Sequence, residues 1–99
     1  MIRHTVVFRL RHAEGSPEEA RFLAAGMALA DIPGVGRFER LRQVSPKNDY
    51  RFGFAMEFAD ETAYQGYNVH PAHMAFVRDL WIPEVEAFME IDYVALGEG

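Results

Sequence analysis

The sequence predicts an α+β domain: a four-stranded antiparallel sheet with its helices on one face. Four stretches alternate along the chain with the two-residue period of strands. Two stretches with helical spacing of apolar residues lie between the first and second strands and between the third and fourth. The 99 residues can bury one hydrophobic core but not two, so we predict a single domain over residues 1–99.

The first strand is predicted at Ile2–Leu10, where one face is apolar except for His4. Its parity places His4 on the side that the helices cover. The first helix is predicted to begin after Ser16, which can cap it, with Pro17 in the first position, where a missing N–H group has no cost. Pro33 ends this helix because it disfavours helical geometry in the residue before it.

The second and third strands are predicted at about Gly36–Val44 and at Tyr50–Phe58, with a cluster of turn-forming residues between them. In the third strand, aromatic residues and a methionine share one face. The opposite face carries the small residues Gly53 and Ala55, so another surface can approach it closely.

The second helical region begins after Asp60, a good cap residue, and consists of two pieces. The second piece begins at Pro71 with His70 as its cap, and Pro83 closes it. The last strand covers about Val85–Leu96. This order of elements is the ferredoxin-like arrangement.

Composition excludes several classes of function. Ten Lys and Arg against fifteen Asp and Glu give a net charge of −5, which repels nucleic acid. The chain has no cysteine, and no apolar run approaches the roughly 20 residues that cross a bilayer. The first residues begin a strand without a targeting segment. We therefore expect a cytoplasmic protein that binds neither nucleic acid nor membranes.

The sheet face without helices is predicted to be partly apolar. It carries Thr5, Val7, Gly53 and Ala55, together with one set of residues from the last strand. An apolar face of this kind is removed from water when two copies pack sheet on sheet, so we predict a homodimer. The alternative is a monomer whose open face is polar enough to remain in water.

Several titratable residues are expected between the sheet and the helices. A lone buried histidine such as His4 is usually a core residue with satisfied hydrogen bonds. Here other candidates accompany it: Tyr64, Tyr67, His70, His73 and Asp92. Tyrosine, histidine and aspartate around one pocket can transfer protons near neutral pH.

A metal site is the alternative interpretation of the same residues. His70 and His73 lie three positions apart, and His4 and Asp92 could complete a set of ligands. However, the side chain of His70 is expected to cap a helix. We therefore predict neither a metal nor another cofactor.

Five segments of the chain carry a resemblance to a known family: Ile2–Leu10, Ile32-Pro33-Gly34-Val35, Tyr50–Phe58, Tyr67 with His70-Pro71-Ala72-His73, and Ile91-Asp92-Tyr93. Through these segments the sequence resembles the stress-responsive A/B barrel (Dabb) family over nearly its whole length. It implies a ferredoxin-like fold whose sheets pack in a homodimer as an α+β barrel. The family includes stress-associated plant proteins and plant polyketide cyclases, of the olivetolic acid type, which perform aldol chemistry without a cofactor.

The resemblance also implies roles for residues. His73 would be the general base, Tyr67 would donate a hydrogen bond to the developing oxyanion, and Asp92 would fix the tautomer of His73. His4 would line the floor of the pocket. The cyclases have a further histidine where this chain has Phe52, which implies a more apolar pocket.

The ligand-binding residues that we predict are a histidine pair and four phenylalanines: His4, His70, Phe8, Phe52, Phe54 and Phe76. The ligand is then a small apolar or carbonyl-containing molecule, and the reaction a cyclase-type or lyase-type proton transfer. One alternative is a non-catalytic structural or stress-associated dimer. A third, from fold analogy, is a cofactor-independent monooxygenase. A cavity of roughly 300 Å³ or more at Tyr67 and His73 would favour the first function.

Overall fold

The computed structural model describes residues 1–97, so Glu98 and Gly99 of the predicted domain 1–99 lie outside the described residues. The chain forms four strands: β1 (Ile2–Leu10), β2 (Gly36–Arg42), β3 (Phe52–Phe58) and β4 (Val85–Tyr93). They form one antiparallel sheet with the order β2-β3-β1-β4. This confirms the predicted fold class.

Three helices connect the strands: α1 (Pro17–Ala25), α2 (Glu61–Asn68) and α3 (Pro71–Phe76). A 3₁₀ segment, Gly26–Asp31, extends α1. The helix that begins with α3 runs on through a π-helical turn, Val77–Trp81, and a last turn, Ile82–Glu84. None of the helices within residues 1–97 has the length and apolar character needed to span a membrane.

The three predicted helix caps are confirmed. The hydroxyl of Ser16 and the carboxylate of Asp60 each accept a hydrogen bond from the backbone N–H three residues later. Nδ1 of His70 accepts a hydrogen bond from the backbone N–H of Ala72 at 3.1 Å. The side chain of His70 is therefore occupied at the start of α3.

Three strands are shorter than predicted. At the turn between β2 and β3, the side-chain amide of Gln43 donates a hydrogen bond to the backbone carbonyl of Tyr50 at 2.6 Å. Side-chain hydrogen bonds there partly replace the backbone hydrogen bonds between the two strands. β4 ends at Tyr93 because its partner there is Arg3, next to the first residue of β1. Only Ile2 of β1 lies beyond Arg3, so the ladder between β1 and β4 ends there.

The core lies between the sheet and the helices, as the parity of β1 predicts. Phe8 is fully buried, and its ring packs against Phe22, Phe54 and Trp81 at centroid distances of 4.8–5.7 Å. Gly26 lets the chain pass close to the sheet, since a Cβ atom there would lie 2.6 Å from the ring of Phe54. The core thus depends on aromatic packing around one small residue.

In the described part of the chain, no helix covers the other face of the sheet. The cross-strand register places the side chains of Thr5 and Val7 beside those of Ile91 and Met89. Ile91 and Met89 are 38% and 46% exposed. Gly53, expected on this face, is buried because Val7 and Leu41 flank it. The open face is therefore a patch of large apolar side chains, carried mainly by β4.

Candidate functional site

A cavity of about 320 Å³ lies between the sheet and the π-helical turn. Its walls are mostly apolar, with titratable groups at a few points. The lining residues are His4, Val6, Leu29, Phe54, Met56, Tyr67, His73, Phe76, Val77, Trp81, Ile82, Phe88 and Glu90. An apolar cleft with a few convergent polar groups is the usual form of a small-molecule site.

A larger hollow, of about 550 Å³, borders the turn at residues 45–50. Its lining is mainly charged and polar and includes none of the predicted site residues. We therefore place the candidate site in the smaller, apolar cavity.

The cavity opens between the last turn of the third helix and β4. Three of its lining residues are exposed there: Ile82, Phe88 and Glu90. Glu90 lies on the same face of β4 as Phe88, opposite Val6 of β1. The mouth therefore combines two apolar side chains with one carboxylate.

Tyr67 and His73 lie side by side in the cavity wall, with ring centroids 4.3 Å apart. Nδ1 of His73 is 3.1 Å from the backbone carbonyl of Asn68, and a carbonyl can only accept, so Nδ1 carries the proton. In the neutral ring Nε2 then has the free lone pair. Burial lowers the pKa of His73 below 6.5, which favours this neutral form at pH 7.

The side chain of Tyr67 is almost completely buried, at 2% exposed. Within residues 1–97, the hydroxyl of Tyr67 has no hydrogen-bond partner. Every side-chain polar atom there that is fully buried does have a partner, so this hydroxyl must be accessible. The hydroxyl therefore borders the cavity. Burial raises the pKa of Tyr67, and the charge of Glu90 raises it further, so the phenol stays protonated and can donate a hydrogen bond.

Asp92 binds His4 and not His73, which corrects the role predicted from the sequence. Its Oδ1 atom lies 2.6 Å from Nδ1 of His4, and its Oδ2 atom accepts a hydrogen bond from the Tyr64 hydroxyl at 2.8 Å. The physical reason is register: Asp92 is the direct cross-strand partner of His4, whereas His73 lies on α3 and donates to a backbone carbonyl.

The hydrogen bonds also determine the tautomer of His4. The Tyr64 hydroxyl uses its one proton on Asp92, so Nδ1 of His4 must donate, to the carboxylate at 2.6 Å and to the phenol oxygen at 2.9 Å. This leaves Nε2 as the free nitrogen of a buried ring that lines the cavity. His4 and His73 thus both have their Nδ1 atoms committed.

Two of the four predicted phenylalanines, Phe54 and Phe76, line the cavity. Phe8, Phe52 and His70 do not, which is a second correction. Phe8 and Phe52 lie one beside the other on β1 and β3, farther along the sheet, and pack into the solid core. His70 turns its ring to the backbone of its own helix.

Among the lining residues that the predicted set lacked are Trp81, Phe88 and Glu90. Phe88 and Glu90 share the parity of Asp92, so the sequence carried a signal for these two. Trp81 had no such signal, because the π-helical turn that positions it interrupts the ordinary helical period.

The sequence left open a metal site built on the histidines. Within the described residues 1–97, no group of three or more His, Cys, Asp or Glu side chains could hold a metal ion.

Residues 2–95 match the family described as the stress responsive A/B barrel domain, Dabb. The chain belongs to the Dabb family. The resemblance predicted from the sequence is thereby confirmed. No curated protein matches this Dabb chain.

Solved structures show what this Dabb chain is similar to. A Dabb family protein with a ferredoxin-like fold from Mesorhizobium loti is 66% identical, with 97% of each chain covered and a TM-score of 0.95. A dimeric ferredoxin-like protein of unknown function from Bacteroides fragilis is 20% identical, with 95% of each chain covered and a TM-score of 0.74. A hydroxynitrile lyase from Passiflora edulis is 15% identical and has a TM-score of 0.83, over 97% of this chain and 94% of that one. The last two likenesses show the fold alone.

Proposed function

We propose that this Dabb chain binds one small, largely apolar carbonyl compound in the cavity and catalyses a cofactor-free proton transfer on it. One observation carries the proposal: a protonated phenol and two oriented imidazoles border the same apolar space of about 320 Å³. This volume is in the range of small-molecule sites, which favours a ligand-binding function over a purely structural dimer.

In the proposed reaction, Nε2 of His73 removes a proton from the carbon next to the carbonyl. The electron pair of the C–H bond moves toward the carbonyl oxygen, and Tyr67 donates a hydrogen bond to the resulting oxyanion. The hydrogen bond from Nδ1 of His73 to Asn68 holds the ring in the required tautomer. Burial of the His73 ring lowers its pKa, which favours the neutral form that can accept a proton at pH 7.

His4 supplies the second proton-transfer group. Its carboxylate partner, Asp92, orients the ring and stabilises the positive charge that it gains when Nε2 takes up a proton. Once Nε2 of His4 is protonated, it can return that proton to the oxyanion, so one proton leaves the substrate to His73 and one comes back from His4. The Passiflora edulis hydroxynitrile lyase is an enzyme with this fold, which is compatible with such chemistry here.

We further propose that two copies pack through their open sheet faces. The apolar side chains Val7, Met89 and Ile91 support this surface, and the ion pairs Arg3–Glu39 and Arg9–Glu86 flank it. An apolar centre with a charged rim is the usual pattern of a protein interface. Proteins of the same fold from Bacteroides fragilis and Thermobifida fusca are dimeric.

A reaction on a model substrate tests the catalytic proposal, since the natural substrate need not be known. The α-protons of 1-indanone, a small aromatic ketone, exchange with D₂O, and NMR follows the loss of their signal. We expect the wild-type protein to accelerate this exchange, and His73→Gln to remove about 10²-fold or more of the acceleration. Tyr67→Phe should also slow it, since the oxyanion loses its donor.

The matched control is His12→Gln, since His12 pairs with Glu84 outside the cavity and should be dispensable. If the wild type and His73→Gln exchange the α-protons at the same rate, His73 is not the general base. An exchange rate no faster than that of free imidazole at the same concentration would instead favour the non-catalytic dimer.

A further inference from the structure

The charges around the cavity are unevenly distributed. Within residues 1–97, Glu90 is the one carboxylate in the lining, and no lysine or arginine lines the cavity at all. The second carboxylate nearby, Asp92, is already engaged by His4 and Tyr64. A bound anion would therefore meet a negative charge at the mouth and find no cation to pair with.

From this arrangement, and on the basis of the proposed function, we infer that Glu90 makes the cavity selective for uncharged or cationic aromatic ligands and excludes carboxylates and phosphates. The selection takes place at the mouth, where Glu90 is exposed, before a ligand reaches Tyr67 and His73.

The preference for an aromatic ring follows from the wall beside Glu90. Trp81 and Phe88 meet edge to face, with centroids 5.5 Å apart and planes at 76°. Both line the cavity, and Phe54 lies across from them, 6.4 Å from the Trp81 ring. Aromatic rings pack favourably against such edges and faces. A flat ring entering between Ile82 and Phe88 would meet aromatic surface on its way to Tyr67.

The electrostatic effect of Glu90 reaches the polar groups of the site. Its negative charge contributes to the raised pKa of Tyr67, after burial, and opposes the effect of burial on the pKa of His73. The same carboxylate therefore favours a protonated His73 and disfavours a negatively charged ligand. Burying an anion without a partner is costly, and a like charge nearby increases that cost.

Three probes of matched shape test the inference: 2-naphthamide, which is neutral, 2-naphthoate, which is anionic, and 2-naphthylmethylamine, which is cationic. The chain has a single tryptophan, so the indole N–H signal of Trp81 in an NMR titration reports on the cavity wall. We expect the amide and the amine to bind at least about tenfold more tightly than the carboxylate in the wild type. Glu90→Gln should reduce this ratio by about threefold or more, through stronger binding of 2-naphthoate.

The control is Glu61→Gln, which removes the same charge from an exposed position outside the cavity and should leave the ratio unchanged. Tight binding of 2-naphthoate to the wild type, or an identical ratio in Glu90→Gln, would overturn the inference and leave the proposed ligand site intact. If none of the three probes shifts the Trp81 signal, the cavity is not a ligand site for such rings, and both the inference and the proposed function fail.

Discussion

Asp92 lies directly opposite His4 on the neighbouring strand, and its Oδ1 atom is 2.6 Å from the Nδ1 atom of His4. The two side chains differ in exposure: 7% for His4 and 40% for Asp92. The pair therefore extends from solvent to the wall of the cavity. Such a position suits a group that must exchange protons with water while it acts in an enclosed space.

The first prediction concerns this pair. Asp92→Ala leaves the buried Nδ1–H group of His4 with only the Tyr64 oxygen as a partner, so we expect a loss of about 1–3 kcal/mol in the free energy of unfolding. Glu86→Ala is the matched control, since it removes the more exposed ion pair with Arg9 and should cost less than about 1 kcal/mol. Urea denaturation measures the free energy of unfolding of both variants. Equal losses would contradict the prediction that burial of His4 makes its pair with Asp92 more stabilising than the exposed pair.

The second prediction is a pH dependence due to His73. Its pKa in the folded chain lies below 6.5, so in the window just below pH 6.5 the unfolded chain binds more protons than the folded one. The contribution of neutral His73 to the free energy of unfolding is therefore complete above pH 6.5 and decreases as the pH falls through that window. His73→Gln should lack this component. We expect the stability difference between wild type and variant to rise with pH there and to level off above 6.5; a difference that falls with pH would contradict the assigned direction.

The third prediction tests the proposed dimer. Val7→Glu places a carboxylate at the centre of the open sheet face, where it would be desolvated against the partner. We expect this variant to elute as a monomer in size-exclusion chromatography with light scattering, while the wild type elutes as a dimer. Val69→Glu, at a 67% exposed position between α2 and α3, should remain dimeric. A dimeric Val7→Glu protein would place the interface on another surface.

The fourth prediction compares two glycines. In Gly26→Ala the new methyl group would meet the ring of Phe54 at 2.6 Å, and we expect a loss of about 1–3 kcal/mol from overpacking. Gly66 lies inside α2, and apart from its chain neighbours and the backbone of its own helix, no atom of residues 1–97 lies within 4 Å of the Cβ position. Gly66→Ala should therefore stabilise the protein by about 0.4–1 kcal/mol. Thermal unfolding gives both signs, and a stabilising Gly26→Ala would mean that Phe54 moves aside freely.

The sequence predicted the fold well because each element had its own local signal. Parity alone placed His4 on the helix-covered side, and Ser16, Asp60 and His70 each marked a helix start. These signals depend on residues close together in the chain. They require no knowledge of which strands pair.

The site was predicted less completely because its geometry depends on register and on an irregular helix. Asp92 was assigned to His73, but which residue faces Asp92 is decided by the pairing of β1 with β4, which parity does not determine. Trp81 is the last residue of a π-helical turn, where the spacing of 3.6 residues no longer holds. Phe52 has the correct parity but lies too far along β3 to reach the cavity.

β4 is an edge strand whose nine residues alternate between two environments. Phe88 and Glu90 line the cavity, while Met89 and Ile91 point the opposite way, beside Val7 and Thr5. A partner that packs against Met89 and Ile91 also restrains Phe88 and Glu90, because all four belong to one strand that is paired on one side only. Dilution that separates two copies should therefore also weaken the proposed proton transfer. Specific activity should fall as the protein concentration is lowered.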